Sequence, residues 1–223
     1  MFLLKRLLRW LLVLLVLVPL ALTLLYRFVP VPVTPLMVIR LFEGESLQKD
    51  WQPGPRISSQ LKMAVIAAED NKFCKHSGFD WEAFGDVLTE AAEGGRLRGG
   101  STITMQTAKN LYLWPGRSYT RKALEAVYTP MLELLLPKER ILTLYLNIAE
   151  FGPGIYGAEA AAQAYFNTTA ASLNRRQATL LAAVLPNPRQ FSAARPSAYV
   201  NQRAAAISRR INGLGGWLTC INR

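Results

Sequence analysis

From Trp10 to Tyr26 the chain reads WLLVLLVLVPLALTLLY, with no charge between Arg9 and Arg27, and Phe28 and Val29 extend the run. A helix needs about 20 apolar residues, range roughly 17–25, to cross the hydrocarbon of a bilayer, so this run is long enough. A lone spanning segment must satisfy its backbone internally, which makes it a helix; Pro19 is tolerated where neighbouring groups or a local kink absorb it. No small-x-small site follows the run. Tyr26-Arg27-Phe28-Val29-Pro30 is bulky and rigid, which favours a retained anchor over a cleaved signal peptide. Lys5, Arg6 and Arg9 precede it, so the positive-inside rule places the N-terminus in the cytoplasm and everything after Tyr26 outside. Four parts are expected: a cytoplasmic N-terminus (1–9), a transmembrane helix (10–29), a stalk stiffened by Pro30, Pro32 and Pro35 (30–40), and one domain (41–223).

The domain reads as helical. Leu61, Val65 and Ala68 recur at i, i+4 and i+7 behind a cap at Ser58 or Ser59. Asp80 can cap a helix from Trp81 to Glu93, closed by Gly94-Gly95. Ser101 can cap a third, running to about Leu113. A fourth runs from Thr120 to Leu136, kinked or broken at Pro130. Pro137 suits the first turn of the next, where Ile141, Leu144, Tyr145 and Ile148 repeat on one face. Ala158–Phe166, Asn174–Leu185 and Tyr199–Ile211 complete the set. Few segments alternate with period two, so the fold class is mainly α.

Charge and cysteines narrow the chemistry. The net charge is +11, and beyond the first 27 residues 22 basic residues still face 15 acidic ones. Such a surplus favours an anionic partner: lipid head groups, a phosphate-bearing substrate or nucleic acid. An extracytoplasmic domain argues against nucleic acid. GxxxxGK[ST] does not occur, so no nucleotide cofactor is expected. The two cysteines, Cys74 and Cys220, have no metal-binding spacing, and His76 is the only histidine. Zinc is excluded on that donor set. A Cys74–Cys220 bridge is possible in an oxidising compartment, but sequence does not supply its geometry, and whether the two are joined stays open at this point.

Val65–Trp81, VIAAEDNKFCKHSGFDW, is the chemical centre. Glu69 lies four and eight residues beyond Val65 and Leu61, at the margin of an apolar face. Burial disfavours the charged form of a carboxylate, which is what a general base near neutral pH needs. Spacing alone equally allows a solvated helix end with incidental acids. Downstream, Gly94-Gly95-Arg96-Leu97-Arg98-Gly99-Gly100-Ser101 precedes a helix N-terminus, where exposed N–H groups attract anions, or is a flexible loop. Lys109, Arg117, Arg121 and Lys122 are the densest basic group, with Glu125 three and four residues on. They make a pyrophosphate clamp or a surface ion pair. Ser59-x-x-Lys62 and Ser172-x-Asn174 echo transpeptidase motifs, but no KTG accompanies them and the chain is too short for that second domain. No transpeptidase activity is expected, and His76 is read as structural.

Five blocks together resemble the family 51 peptidoglycan glycosyltransferases, nearest to their monofunctional proteobacterial members. They are Ala68-Glu69-Asp70-x-x-Phe73-x-x-His76-x-Gly78, Gly99-Gly100-Ser101-Thr102-Ile103-Thr104-x-Gln106-x-x-Lys109-Asn110, Arg121-Lys122-x-x-Glu125, Lys138-Glu139-Arg140-Ile141-Leu142-x-x-Tyr145-Leu146-Asn147 and Leu180-Leu181-Ala182-x-x-Leu185-Pro186-Asn187-Pro188. The resemblance implies a lysozyme-like helical domain behind one anchor, polymerising lipid II. It implies Glu69 as general base and Lys109, Arg121 and Lys122 on the leaving pyrophosphate. Glu125 either orients those cations or binds Mg²⁺ or Mn²⁺. Ser101, Thr102, Gln106, Asn110 and Asn147 are candidates for sugar and phosphate contacts. Implied partners are lipid II, the growing glycan, membrane lipid and other cell-wall synthesis or division proteins, at the bacterial inner membrane. Met105 and Thr143 stand where the family usually has glutamine and glutamate. A lysozyme-type cleaving enzyme and a non-catalytic tethered scaffold are the competing readings; a cleaving enzyme would not need the cationic group, because its leaving group is a sugar.

Overall fold

A computed structural model of the chain describes residues 2–92, 94, 100–116, 118–215 and 218–221. The apolar run is helical from α1 (Phe2–Leu12) through a π turn (Val13–Leu17) into α2 (Val18–Tyr26). Mean hydropathy over Arg9–Tyr26 is 2.2, with most of the segment exposed, as suits a single-pass membrane anchor. Pro19 has no N–H to give the Leu15 carbonyl four residues earlier. The helix widens to the π turn just ahead of it, and the Tyr128 hydroxyl donates to the Leu15 carbonyl at 2.9 Å.

The expected stalk is not a free spacer. Thr34 caps α3 (Pro35–Phe42), with Pro35 at the first helical position, where its missing N–H costs nothing. Met37 and Val31 are buried in the core. Arg140 donates to the Tyr26 and Val29 carbonyls at 2.8 and 2.7 Å, and Lys49 to the Val31 carbonyl at 2.6 Å. These bonds tie the exit of the anchor to the domain, so the prolines serve a helix start and a docked turn rather than an extended rod.

The domain is built from α4 (Ser59–Glu69), α5 (Trp81–Ala92), α6 (Ile103–Tyr112), α7 (Tyr119–Leu135), α8 (Lys138–Ile148), α9 (Ala158–Phe166), α10 (Arg175–Val184) and α11 (Ala198–Gly213). On one side α4 packs against α10 and α11; on the other α6 packs against α7 and α8. Side-chain caps start most of these helices. Ser58, Asp80, Ser118, Asn174 and Ser197 each accept from a first-turn amide, and Gln177 completes a capping box with Asn174. Two sequence expectations are corrected. Thr102, not Ser101, caps α6, which frees the Ser101 hydroxyl. Helix α7 runs unbroken through Pro130.

Period-two alternation is too short to read in the three strands that do form. β1 (Gln48–Lys49) pairs in parallel with β3 (Ile155–Tyr156), and β2 (Glu150–Gly152) pairs antiparallel to β3 with an irregular register between Glu150 and Gly152. Beside it, Gly54 lies so close to α8 that a Cβ would stand 2.7 Å from Thr143 Oγ1.

The pairing that the sequence left open is answered by the structure. Cys74 and Cys220 form a disulfide across 146 residues of sequence, with Cα atoms 5.4 Å apart. It fastens the tail after α11 to the turn after Glu69. Closing so long a loop restricts the unfolded chain, worth about 5 kcal/mol in the loop-entropy account. Cys74→Ser with Cys220→Ser is therefore expected to lower the melting temperature by several degrees in non-reducing buffer, and a reductant should do the same to the wild type alone.

Candidate active site

Glu69 is the last residue of α4. Leu61, Ala64 and Val65 are buried on the core face, and Asp70 leaves helical geometry (φ −164°, ψ 75°), so the Glu69 side chain stands at the lip of a cavity of about 270 Å³. Ser101, Lys72 and Arg210 share that cavity. Glu69 Oε2 accepts from Gln106 Nε2 at 2.8 Å, and Gln106 Oε1 accepts from the buried Tyr145 hydroxyl at 3.1 Å. Burial, reinforced by the charge of Glu69, pushes the Tyr145 phenol well above its ordinary range. It stays protonated, donates, and so fixes which end of the Gln106 amide faces Glu69. Arg203 of α11 lies 3.5 Å from Glu69 Oε1. Tyr145→Phe is expected to lower turnover about fivefold to tenfold, the value of one hydrogen bond of about 1 kcal/mol, without a matching rise in KM.

Asp70 serves the frame. Its carboxylate accepts from the Ile103 amide at 3.0 Å and pairs with His76 Nε2 at 2.8 Å, while His76 Nδ1 accepts from the Gly78 amide at 3.2 Å. Gly78 has φ +94°, and a Cβ there would lie 2.7 Å from Thr129 Cγ2. Its carbonyl accepts from Thr102 Oγ1 at 2.6 Å. The turn after Glu69 is thus pinned to the start of α6 and to α7, and the only histidine is structural, as expected.

The cations gather on the next two helices. Glu125 of α7 is buried, with Oε2 accepting from Arg121 Nη1 at 2.8 Å and Oε1 from Lys122 Nζ at 2.6 Å. Lys122 also reaches Ser101 Oγ at 3.1 Å. Lys109 projects from α6 into the same field. Burial pushes its ammonium below the ordinary lysine value, and Glu125 and, more weakly, Glu69 oppose that shift. Lys109, Asn110 and Arg121 line a second cavity, of about 300 Å³, with Arg40 and Glu150. Burial pushes the Glu150 carboxyl up, chiefly against the pull of Arg40.

Glu69, Ser101 and Thr102 therefore line the first cavity and Lys109, Asn110 and Arg121 the second; Gln106 bonds to Glu69, and Lys122 bridges Ser101 and Glu125, which in turn holds Arg121. Thr102 is spent on its cap and on Gly78. Asn147 is placed elsewhere: it is buried, binding the Gln52 amide at 2.7 Å and the Gln52 and Thr143 carbonyls at 2.9 and 2.8 Å. It holds a loop to α8, with both amide N–H groups committed and the side chain buried. Gly95, Arg96, Leu97, Arg98, Gly99 and Arg117 lie outside the described residues. As a metal ligand Glu125 fits poorly, because both its oxygens face cations. Among the described residues no group of three or more His, Cys, Asp or Glu side chains converges either.

The site thus presents a carboxylate beside one cavity and cations gathered around Glu125. The family model described as Transglycosylase matches residues 37–212. A biosynthetic peptidoglycan transglycosylase of Stutzerimonas stutzeri is 53% identical over 219 residues, covering 96% of this chain and 89% of the relative. One from Caulobacter vibrioides is 51% identical over 209 residues, covering 92% and 91%. The chain belongs to the transglycosylase family, and its helical domain is the lysozyme-like one of that family.

Proposed function

We propose that the protein polymerises lipid II into linear glycan strands, as a peptidoglycan glycosyltransferase without transpeptidase activity. The observation that carries this is the presence, beside one positioned acid, Glu69, of cations gathered around the buried Glu125. A hydrolase that cleaves glycan has no use for those cations. In the proposed reaction the 4-hydroxyl of lipid II attacks the anomeric carbon of the growing chain as Glu69 takes the hydroxyl proton. The bond from that carbon to the phosphate oxygen breaks, its electron pair stays on the phosphate, and the α-linked donor becomes a β-1,4 link. Lys109, Arg121 and Lys122 meet the charge that develops on the departing undecaprenyl diphosphate. Glu125 fixes Arg121 and Lys122 in place and keeps three cations from repelling one another. No step is routed through a metal.

The same reading places the protein in the bacterial inner membrane, N-terminus in the cytoplasm and domain in the periplasm. The disulfide supports this, since such bonds persist in oxidising compartments. Other cell-wall synthesis or division proteins are its natural neighbours there.

The direction of the Lys109 shift gives a pH test. The protonated ammonium is needed to receive pyrophosphate, and burial lowers its pKa. As pH rises through that pKa, kcat/KM falls, and its alkaline limb should lie below the ordinary lysine value of about 10.4. Lys109→Arg should move the limb upward; a limb unaffected by that change would detach it from Lys109.

A further inference from the structure

The positive surplus of the domain does not come from the proposed clamp. Residues 28–159 hold 14 basic residues against 15 acidic ones, whereas residues 160–223 hold eight arginines, no lysine and no acid. That last stretch is the end of α9, then α10, α11 and their flanking segments. Three of the eight arginines are committed. Arg175 donates to Ser208 and Asn212 and so ties α10 to α11, Arg189 pairs with Glu45, and Arg203 lies against Glu69. Arg176, Arg195, Arg209 and Arg210 are exposed and make no ion pair among the described residues. Like charges gathered on one part of a domain repel one another and do not help it fold, so they mark an anionic partner.

Helix α11 carries this charge to the catalytic cavity. Tyr199, Arg203, Ala206 and Arg210 share one edge of it, three and four residues apart. Arg210 lines the cavity that holds Glu69, and Arg203 reaches Glu69 itself. At the start of the edge the Tyr199 ring is 53% exposed and rests against Phe191, with centroids 5.3 Å apart. On the other side of α11 a groove of about 360 Å³ runs between it and α10, where Arg175, Arg176, Asn201 and Ser208 offer donors with no acid among them. Guanidinium forks match carboxylates, and an open aromatic ring suits the apolar face of a pyranose. The anchor packs on α7 while α10 and α11 pack on α4, so this face does not lie against the anchor.

We propose that the α10–α11 face guides the nascent glycan strand as it leaves the Glu69 cavity, taking the carboxylates of its stem peptides on arginine and its sugars on Tyr199. The proposal rests on the polymerising function proposed above. A strand built from lipid II carries an acidic peptide on every second sugar, so it is a polyanion of regular spacing. Arg203 and Arg210 stand seven residues apart, about 10 Å along the helix, close to the length of one disaccharide. Exposed ion pairs are individually weak, so the face retains a strand without trapping it, and contacts break and re-form as the strand advances. An acidic protein or a lipid head group would use the arginines alone, with no need for them to continue into the catalytic cavity.

The test uses the full chain in detergent, with preformed glycan strands as the probe, either bearing their stem peptides or stripped of them. Arg176→Gln, Arg195→Gln and Arg209→Gln together remove three exposed charges that have no part in the clamp or at Glu69, so the melting temperature should stay close to wild type. Wild type is expected to bind peptide-bearing strands about tenfold tighter than stripped ones, and the triple variant to lose that preference. Raised salt should shrink the preference in the wild type, as it does for exposed charges. Given lipid II, the variant should make shorter strands at an initial rate close to wild type. Equal affinity of the folded variant and the wild type for peptide-bearing strands would overturn the proposal. So would a variant that loses affinity for phosphatidylglycerol vesicles and keeps it for strands, which would assign the face to lipid. Failure of the wild type to make polymer from lipid II would instead overturn the polymerising function, and binding of preformed strands is measured apart from it.

Discussion

Glu69→Gln is expected to abolish glycan polymerisation, lowering turnover by about 10²–10⁴-fold, the range for losing a general base. The glutamine fits the same space and can still accept from Gln106, so neither the packing of α4 nor the amide relay from Tyr145 is broken. What disappears is the ability to take a proton as the acceptor oxygen attacks. Because Glu69 stands at the cavity lip and not in the core, the melting temperature should stay close to wild type. The loss should appear in kcat, since the amide costs nothing to ground-state binding. Full activity in this variant would remove Glu69 from its role.

Lys109→Ala is the second large effect, about 10²–10³-fold in kcat, the scale seen when one preorganised charge-stabilising group is removed. It is a cleaner test than Arg121→Ala. Among the described residues Lys109 makes no ion pair, whereas Arg121 holds the buried carboxylate of Glu125. Removing Arg121 leaves that charge with Lys122 alone, and breaking a buried pair costs about 3–5 kcal/mol. Arg121→Ala should therefore lose both activity and melting temperature, and Lys109→Ala chiefly activity. Equal destabilisation of the two variants would mean that Lys109 is structural.

The helices were legible because their punctuation is local. Asp80, Asn174 and the alanine-rich stretch 158–166 each announce an element within a few residues, and the structure places helices there. Prolines misled twice, in opposite senses. Pro35 opens a helix where a rod was expected, and Pro130 sits inside an unbroken one where a kink or a break was expected. Both outcomes follow from tertiary packing, which propensity does not contain. The disulfide joins residues 146 apart, so only the fold could reveal its geometry.

At the site, Glu69, Gln106 and Lys109 were readable because the family blocks name them in order. Arg203 was not, since it meets Glu69 only when α11 folds back across 134 residues of sequence. Tyr145 lay within a quoted block, but its hydroxyl gains a role only beside Gln106. Arg40 and Glu150 lacked any motif and share a cavity only because β2 and α3 end at the same wall. Asn147 shows the converse: a residue in a matching block whose amide is committed to the backbone of a loop and of its own helix.

The most direct test of the central claim is incubation of the purified full chain with lipid II alone, with and without a chelator, and sizing of the products on a gel. Glycan polymer formed from lipid II, with release of undecaprenyl diphosphate and loss of both in Glu69→Gln, is the predicted result. Absence of polymer together with degradation of preformed glycan would contradict it.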